Sequence, residues 1–261
     1  MKKTIIKLNQ LSIGISNQFT IMAGPCAAET KTQTINTAQG ALKAGAHIFR
    51  ANLFKPRTLP QSFQGVGEKG FKWLEKVKQT TKLPVMTEIR TPDQIKQAIK
   101  SKIDIIWIGT RNAQNFDLLI AAGKLTKKTK TPVLLKRGMA MRLNEWLGAA
   151  DYIRCQGNPN VILCERGITT IDPQTTRNLL DLQTAVIAKN QSGLPVVIDP
   201  SHAAGRKDIL QNMCLASKAA GLDGILIEVH QNPDKALTDA HQQITPEKLG
   251  LIIKKLNSLK I

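Results

Sequence analysis

Short hydrophobic runs recur along the chain, and a longer segment with helical spacing follows each of them. The runs are rich in Val, Ile, Leu and Phe and almost uninterrupted, which is typical of parallel strands covered on both faces. Several of the helical segments open on Thr or Asn and close on Gly or Asn, residues common at helix ends. The predicted strands are FTIMAGPC, HIFRANL, LPVMTEI, IDIIWIG, TPVLLKR, NVILCER, LPVVIDP and GILIEVH. The predicted helices are TQTINTAQGALKAG, GEKGFKWLEKVKQ, TPDQIKQAIK, NFDLLIAAG, RLNEWLGAADYIR, TTRNLLDLQTAVIAKN, KDILQNMCLASKAAG and TPEKLGLIIKKLNS.

This repetition predicts an α/β fold, the closed (β/α)8 or TIM barrel, whose usual size is about 250 residues. A doubly wound open sheet is the alternative, but no G-x-G-x-x-G follows the first run. Residues 3–17 alternate loosely between apolar and polar positions, so we expect a short N-terminal β-hairpin that closes the bottom of the barrel. Without a visible linker, we expect residues 1–261 to form a single catalytic domain.

Composition narrows the class of protein. The 261 residues are 42% hydrophobic and 21% charged, which suits a globular protein with a substantial core. The first twenty residues are interrupted by polar positions, so neither a signal peptide nor a membrane span is expected. The four cysteines lack C-x-x-C spacing, which favours a cytoplasmic location over secretion.

The formal net charge of +18 raises the possibility of a nucleic-acid partner. Most lysines, however, occur singly on the polar faces of predicted helices, as in GFKWLEKVKQTTK. With one Tyr, six Phe and three Trp, the chain has few aromatic side chains on which bases could stack. We therefore expect no nucleic acid and no membrane among its partners.

Charged or metal-binding residues stand at the carboxyl end of every predicted strand, where barrel enzymes carry their chemistry. In strand order they are Cys26; Arg50 with Lys55 and Arg57; Glu88; Arg111; Lys136 and Arg137; Glu165 and Arg166; Asp199 and His202; and Glu228 with His230. Alternation places Glu228 and His230 on the same face of the last strand, both turned inward.

Closing the barrel brings the seventh, eighth and first strands together, and with them His202, Glu228 and Cys26. Asp239, in the following loop, adds a fourth donor, so these residues could hold a divalent metal. Two other interpretations stay open on spacing alone. Cys26 could be a small buried hydrophobe, and Glu228 could pair with a cation such as Lys136 or Arg166.

Cations dominate the rest of the rim. The carboxylates Glu88, Glu165 and Asp199 are too few to neutralise them, and arginine favours bidentate contacts to carboxylate and phosphate. The pattern therefore predicts a small phosphorylated acid as a substrate. The cations in question are Arg50, Lys55, Arg57, Arg111, Lys136, Arg137 and Arg166.

Several motifs resemble the 3-deoxy-D-arabino-heptulosonate 7-phosphate (DAHP) synthase family, in its short form without a regulatory domain. They run in order from about residue 20 to residue 250: IMAGPCAAE, KPRT with SFQGVGEKG, IGTRNAQNF, LLKRGM, ILCERG, IDPSHAAGRKD and ILIEVH with DKALTDAHQQI. The resemblance implies a (β/α)8 barrel that condenses phosphoenolpyruvate with erythrose 4-phosphate and releases phosphate. It also implies the first step of the shikimate pathway, which leads to chorismate and the aromatic amino acids.

The resemblance implies site residues as well. Cys26, His202, Glu228 and Asp239 would bind one divalent metal ion, which could be Mn, Fe, Co or Zn. Phosphoenolpyruvate would contact Arg50, Lys55 and Lys136 through its carboxylate, Arg111 and Arg166 through its phosphate, and Glu88 through water. Erythrose 4-phosphate would contact Lys55, Pro56, Arg57 and Thr58. Lys55 and His202 are the expected catalytic residues, and by analogy the chain would form a homodimer or homotetramer.

Two departures and two rival activities accompany the resemblance. The family commonly has Ser after KPRT and an aromatic residue two positions later, where this chain has Leu59 and Gln61. The related 3-deoxy-D-manno-octulosonate 8-phosphate synthases use arabinose 5-phosphate, but they typically carry an Asn-Arg-Ser-Ser run in place of KPRT. Lys136 could also form a Schiff base if its pKa were depressed, although an enol phosphate nucleophile needs no imine.

Overall fold

A short antiparallel hairpin precedes the barrel, as predicted. In the computed structural model, which describes residues 3–8, 11–15 and 18–260, strand β1 (Ile6–Leu8) pairs with β2 (Leu11–Ile13). Residues 9–10 and 16–17 of the predicted hairpin lie outside the described ranges. Ile6 and Ile13 are completely buried and pack against Met22 and Ile48 of the barrel interior, so the hairpin covers the bottom of the barrel.

Eight parallel strands close into the barrel, in the chain order that the hydrophobic runs predict. Each strand is buried along its whole length, which explains why its hydrophobicity is nearly continuous. The strands are β3 (Thr20–Gly24), β4 (Ile48–Arg50), β5 (Val85–Ile89), β6 (Ile105–Ile108), β7 (Val133–Lys136), β8 (Val161–Glu165), β9 (Val196–Ile198) and β10 (Gly224–Glu228).

Helices surround the barrel, and side chains of Thr or Asp cap several of them. They are α1 (Lys31–Ala44), α2 (Lys69–Thr81), α3 (Pro92–Lys100), α4 (Phe116–Thr126), α5 (Leu143–Arg154), α6 (Leu182–Ser192), α7 (Pro200–Ala204), α8 (Leu210–Ala219) and α9 (Pro246–Ser258). Thr30, for example, accepts a hydrogen bond from the backbone of Gln33 at the start of α1. Within the described ranges, no helix is both long and apolar enough to cross a membrane.

Two details differ from the predicted helices. The segment 175–181, predicted as the start of a helix, is irregular and not helical, because the backbone N–H groups of Arg177 and Asn178 donate to carbonyls of α7. The short helix α7 was not predicted. Its sequence nevertheless carries the signals, since Asp199 caps it, Pro200 opens it and Gly205 ends it in the left-handed conformation.

Alternation along the strands divides their side chains between two layers. Leu134, Ile162 and Leu226 pack inside the barrel with Trp107, whereas their sequence neighbours pack outward against the helices. The inward register continues to the rim, so Arg50, Glu88, Lys136 and Glu228 have the same parity as these interior residues. The rim chemistry is therefore an extension of the interior column of each strand.

Candidate active site

Cys26, His202, Glu228 and Asp239 converge at the rim, as predicted. One ligand atom from each lies within 4.8 Å of all the others. The seam between β10 and β3 creates this proximity, because Glu228 is paired in register with Gly24, two residues before Cys26. Two donors bound at about 2.0–2.3 Å to one ion lie at most about 4.6 Å apart, so this mixed set needs only a slight contraction to hold a single divalent metal.

Lys55 joins this cluster to the cations. Its Nζ lies 2.8 Å from Cys26 Sγ and 3.0 Å from Asp239 Oδ2. Burial would lower the pKa of Lys55, but the nearby Cys26, Glu228 and Asp239 raise it, so the ammonium stays charged. The pKa of the Cys26 thiol is raised by its own burial and by Glu228. In this arrangement the thiol is neutral and the lysine is positive.

Asp199 orients His202 beneath the cluster. Its Oδ2 lies 2.7 Å from His202 Nδ1 and 2.6 Å from Lys136 Nζ, while its Oδ1 accepts from the His202 backbone. A carboxylate on Nδ1 fixes the imidazole with Nε2 free for a metal, a common arrangement around bound ions. Burial lowers the pKa of His202, so the ring is neutral, as ligation requires. The Lys136 amine is also engaged by Asp199, whereas an imine-forming lysine needs a free amine, and this weakens the Schiff-base alternative.

Glu228 pairs with Arg50, and neither Lys136 nor Arg166 takes that role. Arg50 Nη1 lies 3.0 Å from Glu228 Oε1 and 2.9 Å from the Pro25 carbonyl. The guanidinium is fully buried above the Trp107 ring, 4.9 Å from its centroid, and its Nε and Nη2 have no partner. It lies beneath the floor of the cavity, with donors still unsatisfied.

One cavity of about 240 Å³ opens above the cluster. Its lining contains most of the predicted substrate residues. Arg111 and Thr58 are exposed at its edge, and Lys136 and Arg166 are buried. The residues lining the cavity are Asn52, Lys55, Pro56, Arg57, Thr58, Leu59, Ser62, Glu88, Gly109, Thr110, Arg111, Lys136, Met139, Arg166, Arg177, His202 and Asp239.

The cations of the cavity are held in fixed positions with spare donors. Arg166 donates to the carbonyls of Gly167 and His202, and burial lowers its pKa. One guanidinium nitrogen of Arg57, Nη1, is buried without a partner. Positively charged groups with unsatisfied N–H bonds in a partly closed cavity favour anionic ligands that accept several hydrogen bonds.

Glu88 is the carboxylate on the opposite side of this cavity. Burial raises its pKa, and the nearby Lys55, Lys136 and Arg50 only partly offset that rise. Gly109 lies against it so closely that any side chain at that position would collide with the Glu88 carboxylate. A side chain at position 109 would therefore displace the Glu88 carboxylate from its present position.

Two sequence expectations are corrected. Arg137 does not belong to the rim cations, because its Nη1 pairs with both Glu165 and Asp181 outside the barrel, 2.9 Å from each. Strand alternation explains the error, since adjacent Lys136 and Arg137 cannot both face inward. His230 is also absent from the metal cluster. Its Nδ1 accepts a hydrogen bond from the backbone N–H of Asn232. Strand β10 ends at Glu228, so the alternation of inward and outward side chains ends there as well.

Sequence reasoning missed several residues on loops. Arg177 donates to Asp239 Oδ1 at 3.3 Å and to Gln242 at 3.1 Å, and Gln242 donates to Glu228 Oε2 at 2.7 Å. Asp239 itself has a left-handed backbone with φ of 48°, which is uncommon outside glycine and marks a position held by its surroundings. Loop residues follow no period, so only the motif DKALTDAHQQI, which contains Asp239 and Gln242, pointed to this region.

The barrel and its rim define an enzyme of the (β/α)8 class, with a cavity lined by cations beside a cluster suited to a metal. The sequence model of the DAHP synthetase I family matches residues 3–260. A phospho-2-dehydro-3-deoxyheptonate aldolase of Thermotoga maritima is 41% identical over 256 residues, covering 98% of this chain and 74% of the relative. The chain belongs to the DAHP synthetase I family.

Solved structures and a more distant relative agree with that assignment. The crystal structure of the DAHP synthase of Thermotoga maritima superposes with a TM-score of 0.91 at 39% identity, covering 98% of this chain and 72% of the other. A truncated form of that enzyme gives 0.88 at 37% identity, covering 98% and 91%. A 2-dehydro-3-deoxyphosphooctonate aldolase of Geobacter sulfurreducens is 28% identical over 272 residues, covering 97% of each chain.

Proposed function

We propose that the chain condenses phosphoenolpyruvate with erythrose 4-phosphate to give DAHP and inorganic phosphate. This reaction begins the shikimate pathway. The observation that carries the proposal is that the four-donor cluster and the KPRT loop meet at Lys55 and open into one cavity. An aldehyde and a phosphorylated acid can therefore share a single chamber.

Cys26, His202, Glu228 and Asp239 would hold one divalent ion. When bound, the ion supplies Lewis-acid polarisation of the aldose carbonyl. The donor set mixes a thiolate, an imidazole and carboxylates, so it suits Mn, Fe, Co or Zn. Lys55, whose ammonium is directed at Cys26 and Asp239, would donate a hydrogen bond to the aldehyde oxygen as negative charge develops there.

Phosphoenolpyruvate would lie against the buried cations. Arg50 and Lys136 would contact its carboxylate together with Lys55, and Arg111 and Arg166 its phosphate. The two substrates repel each other electrostatically, and fixed guanidinium and ammonium groups offset that repulsion without reorganising. Held in this way, carbon 3 of phosphoenolpyruvate faces the aldehyde carbon.

Erythrose 4-phosphate would bind along KPRT, with its phosphate on Arg57 and Thr58 and its chain past Lys55 and Pro56. Ser62 also lines the cavity, three residues beyond Leu59. The side chain of Gln64 donates to the carbonyls of Leu59, Pro60 and Ser62 and thereby braces the loop. The exposed Leu59 offers no polar group to the phosphate.

The chemistry proceeds by two additions and one elimination. Carbon 3 of phosphoenolpyruvate forms a bond to the aldehyde carbon, whose oxygen takes up a proton, and carbon 2 becomes electron-deficient. Water adds to carbon 2 and loses a proton to give a hydroxyl there. That hydroxyl then loses its own proton and becomes the ketone oxygen as the bond from carbon 2 to the phosphate oxygen breaks, and the leaving phosphate carries the electron pair of that bond. Glu88, with its raised pKa and its position on the cavity wall, would orient this water. His202 contributes as a neutral ligand.

A direct assay tests the proposal. Phosphate release from phosphoenolpyruvate is measured with erythrose 4-phosphate and with arabinose 5-phosphate, each before and after chelation. We expect turnover with the four-carbon sugar, loss on chelation and recovery on adding Mn or Zn. Turnover with arabinose 5-phosphate alone would assign the octulosonate activity instead.

Variants and a trapping experiment separate the alternatives further. Cys26→Ala should abolish the turnover that is sensitive to chelation, while Cys155→Ala, at an exposed cysteine, should not. Undiminished activity of Cys26→Ala would remove the thiol from the metal site. Borohydride reduction in the presence of substrate should leave no adduct on Lys136, and a stable adduct there would establish an imine mechanism.

A further inference from the structure

Asn52 is a polar residue of the cavity whose side chain the protein does not satisfy. It follows β4, lines the cavity and is only 3% exposed. Its amide oxygen is buried without a hydrogen-bond partner. Leaving a buried polar group unpaired in this way is unfavourable. Such a group at a substrate cavity indicates a contact that forms when the cavity is filled.

The backbone of Asn52 is held independently of its side chain. Its N–H donates to the Cys26 carbonyl at 3.4 Å, and its carbonyl accepts from Ala28 at 2.9 Å. These bonds extend the pairing of the first two barrel strands by one bridge, Ala27 with Asn52. The backbone of Asn52 is therefore held next to Cys26, and the side-chain oxygen contributes no hydrogen bond to the fold among the described residues.

The chemistry of the cavity indicates what this amide recognises. Its cations can only donate hydrogen bonds, and they suit phosphate and carboxylate groups, which only accept. The nitrogens that Arg50 and Arg57 leave unpaired are donors too, so they also suit groups that accept. A hydroxyl group both donates and accepts. A hydroxyl can therefore hydrogen-bond to the Asn side chain whether the amide presents its oxygen or, after rotation about χ2, its NH2 group.

We propose that Asn52 is a specificity-determining contact for the aldose, and that its amide hydrogen-bonds the hydroxyl on carbon 2 or carbon 3 of the sugar phosphate. The inference rests on the proposed function in requiring an aldose phosphate as one substrate. Phosphoenolpyruvate has no hydroxyl group, so this contact distinguishes the two substrates. Asn52 can accept a hydrogen bond from the sugar hydroxyl, which the lysines and arginines of the cavity, as donors only, cannot do.

The test is a cycle of protein and substrate changes. Wild type and Asn52→Ala are assayed with erythrose 4-phosphate and with its 2-deoxy and 3-deoxy analogues. We expect Asn52→Ala to lower kcat/KM for erythrose 4-phosphate roughly 5- to 30-fold. With the analogue that lacks the contacted hydroxyl, the two proteins should agree within about twofold. The KM for phosphoenolpyruvate should not change.

Two further variants control the experiment. Asn52→Asp is nearly isosteric and keeps an acceptor oxygen, so it should still distinguish the aldose from that deoxy analogue. If thermal unfolding shows that Asn52→Ala is not folded, the Asn52→Asp variant tests the role of Asn52 in its place. Asn190→Ala, at an exposed position of α6 that lies by the lower end of the barrel, should match wild type with every substrate.

The outcomes separate this proposal from the proposed function. An equal loss with all three aldoses, or a loss expressed in the KM for phosphoenolpyruvate, would overturn the role of Asn52. If wild type consumed arabinose 5-phosphate and not erythrose 4-phosphate, the proposed function would fail. The same comparison with arabinose 5-phosphate and its deoxy analogues would then decide the role of Asn52.

Discussion

Metal binding at the proposed centre should release one proton per ion. Burial and the neighbouring Glu228 raise the pKa of Cys26, so its thiol keeps its proton at neutral pH. Burial lowers the pKa of His202, which is already neutral. Burial alone would raise the pKa of Glu228 and Asp239, but the charges of Arg50 and Lys55 near Glu228, and of Lys55 near Asp239, oppose it, and both pKa values are lowered. Three ligands are thus ready to bind, and only the thiol must lose a proton.

The pH dependence of metal affinity follows from the release of one proton. While the pH stays below the raised pKa of Cys26, releasing one proton makes the apparent metal affinity rise tenfold per pH unit, or about 1.4 kcal/mol. Calorimetric titration of the metal-free protein with Zn in buffers of different ionisation enthalpy measures the number directly. The observed enthalpy should depend on the buffer enthalpy with a slope of magnitude near one.

The same titration can refute the reasoning. A slope near zero would mean that Cys26 is not a ligand or is already ionised, and a slope near two would mean that His202 is protonated beforehand. Cys26→Ser should bind more weakly and release no proton, because a serine hydroxyl has no comparable acidity. Cys155→Ser changes an exposed cysteine away from the cluster and should behave as wild type.

Two further predictions concern buried carboxylates. Asp199→Asn should weaken metal affinity roughly 10- to 100-fold, because His202 loses its orienting charge; it should also cost about 3–5 kcal/mol of stability, because Lys136 is left buried without its partner. Chelator competition and denaturant unfolding measure the two effects. Glu88→Gln should lower kcat roughly 100-fold if Glu88 orients the attacking water, yet raise the free energy of unfolding at neutral pH, because the folded protein resists ionising Glu88.

The raised pKa of Glu88 determines the pH range in which Glu88→Gln changes the free energy of unfolding. With a folded-state pKa above 4.5, Glu88 favours folding below pH 4.5, and that contribution is lost as the pH rises through the raised pKa. The difference in stability between Glu88→Gln and wild type should therefore vanish below pH 4.5, whereas a constant difference would contradict the prediction.

The control for Asp199→Asn is Asp223→Asn, which breaks the ion pair of Asp223 with Lys189. It should lower stability while leaving metal affinity unchanged. A matching loss of affinity would make the Asp199 effect nonspecific.

The sequence predicts the barrel well because its strands are buried on both faces and separated by capped helices, so each unit carries its own signal. It predicts the metal cluster equally well, because strand ends fall at fixed places in the barrel. Alternation, applied consistently, would also have separated Lys136 from Arg137 and joined Arg137 to Glu165 outside the barrel.

What the sequence could not give lies on the connecting segments. Arg177 and Asp239 meet across 62 positions of chain, through loops whose path no period describes. Asn52 looks like an ordinary polar residue after a strand, and only the unpaired oxygen in the folded protein distinguishes it. Pairings between loops depend on the tertiary structure that brings the loops together.

The place where the barrel closes has a consequence for how the protein is made. Cys26 follows the first barrel strand, whereas Glu228 and Asp239 come from the last strand and the loop beyond it, over two hundred positions later. A ribosome has thus synthesised nearly all of the domain before the fourth donor emerges. An ion held by all four donors would link the first and last strands of the barrel. Metal binding would then be a late step in folding that requires the closed barrel.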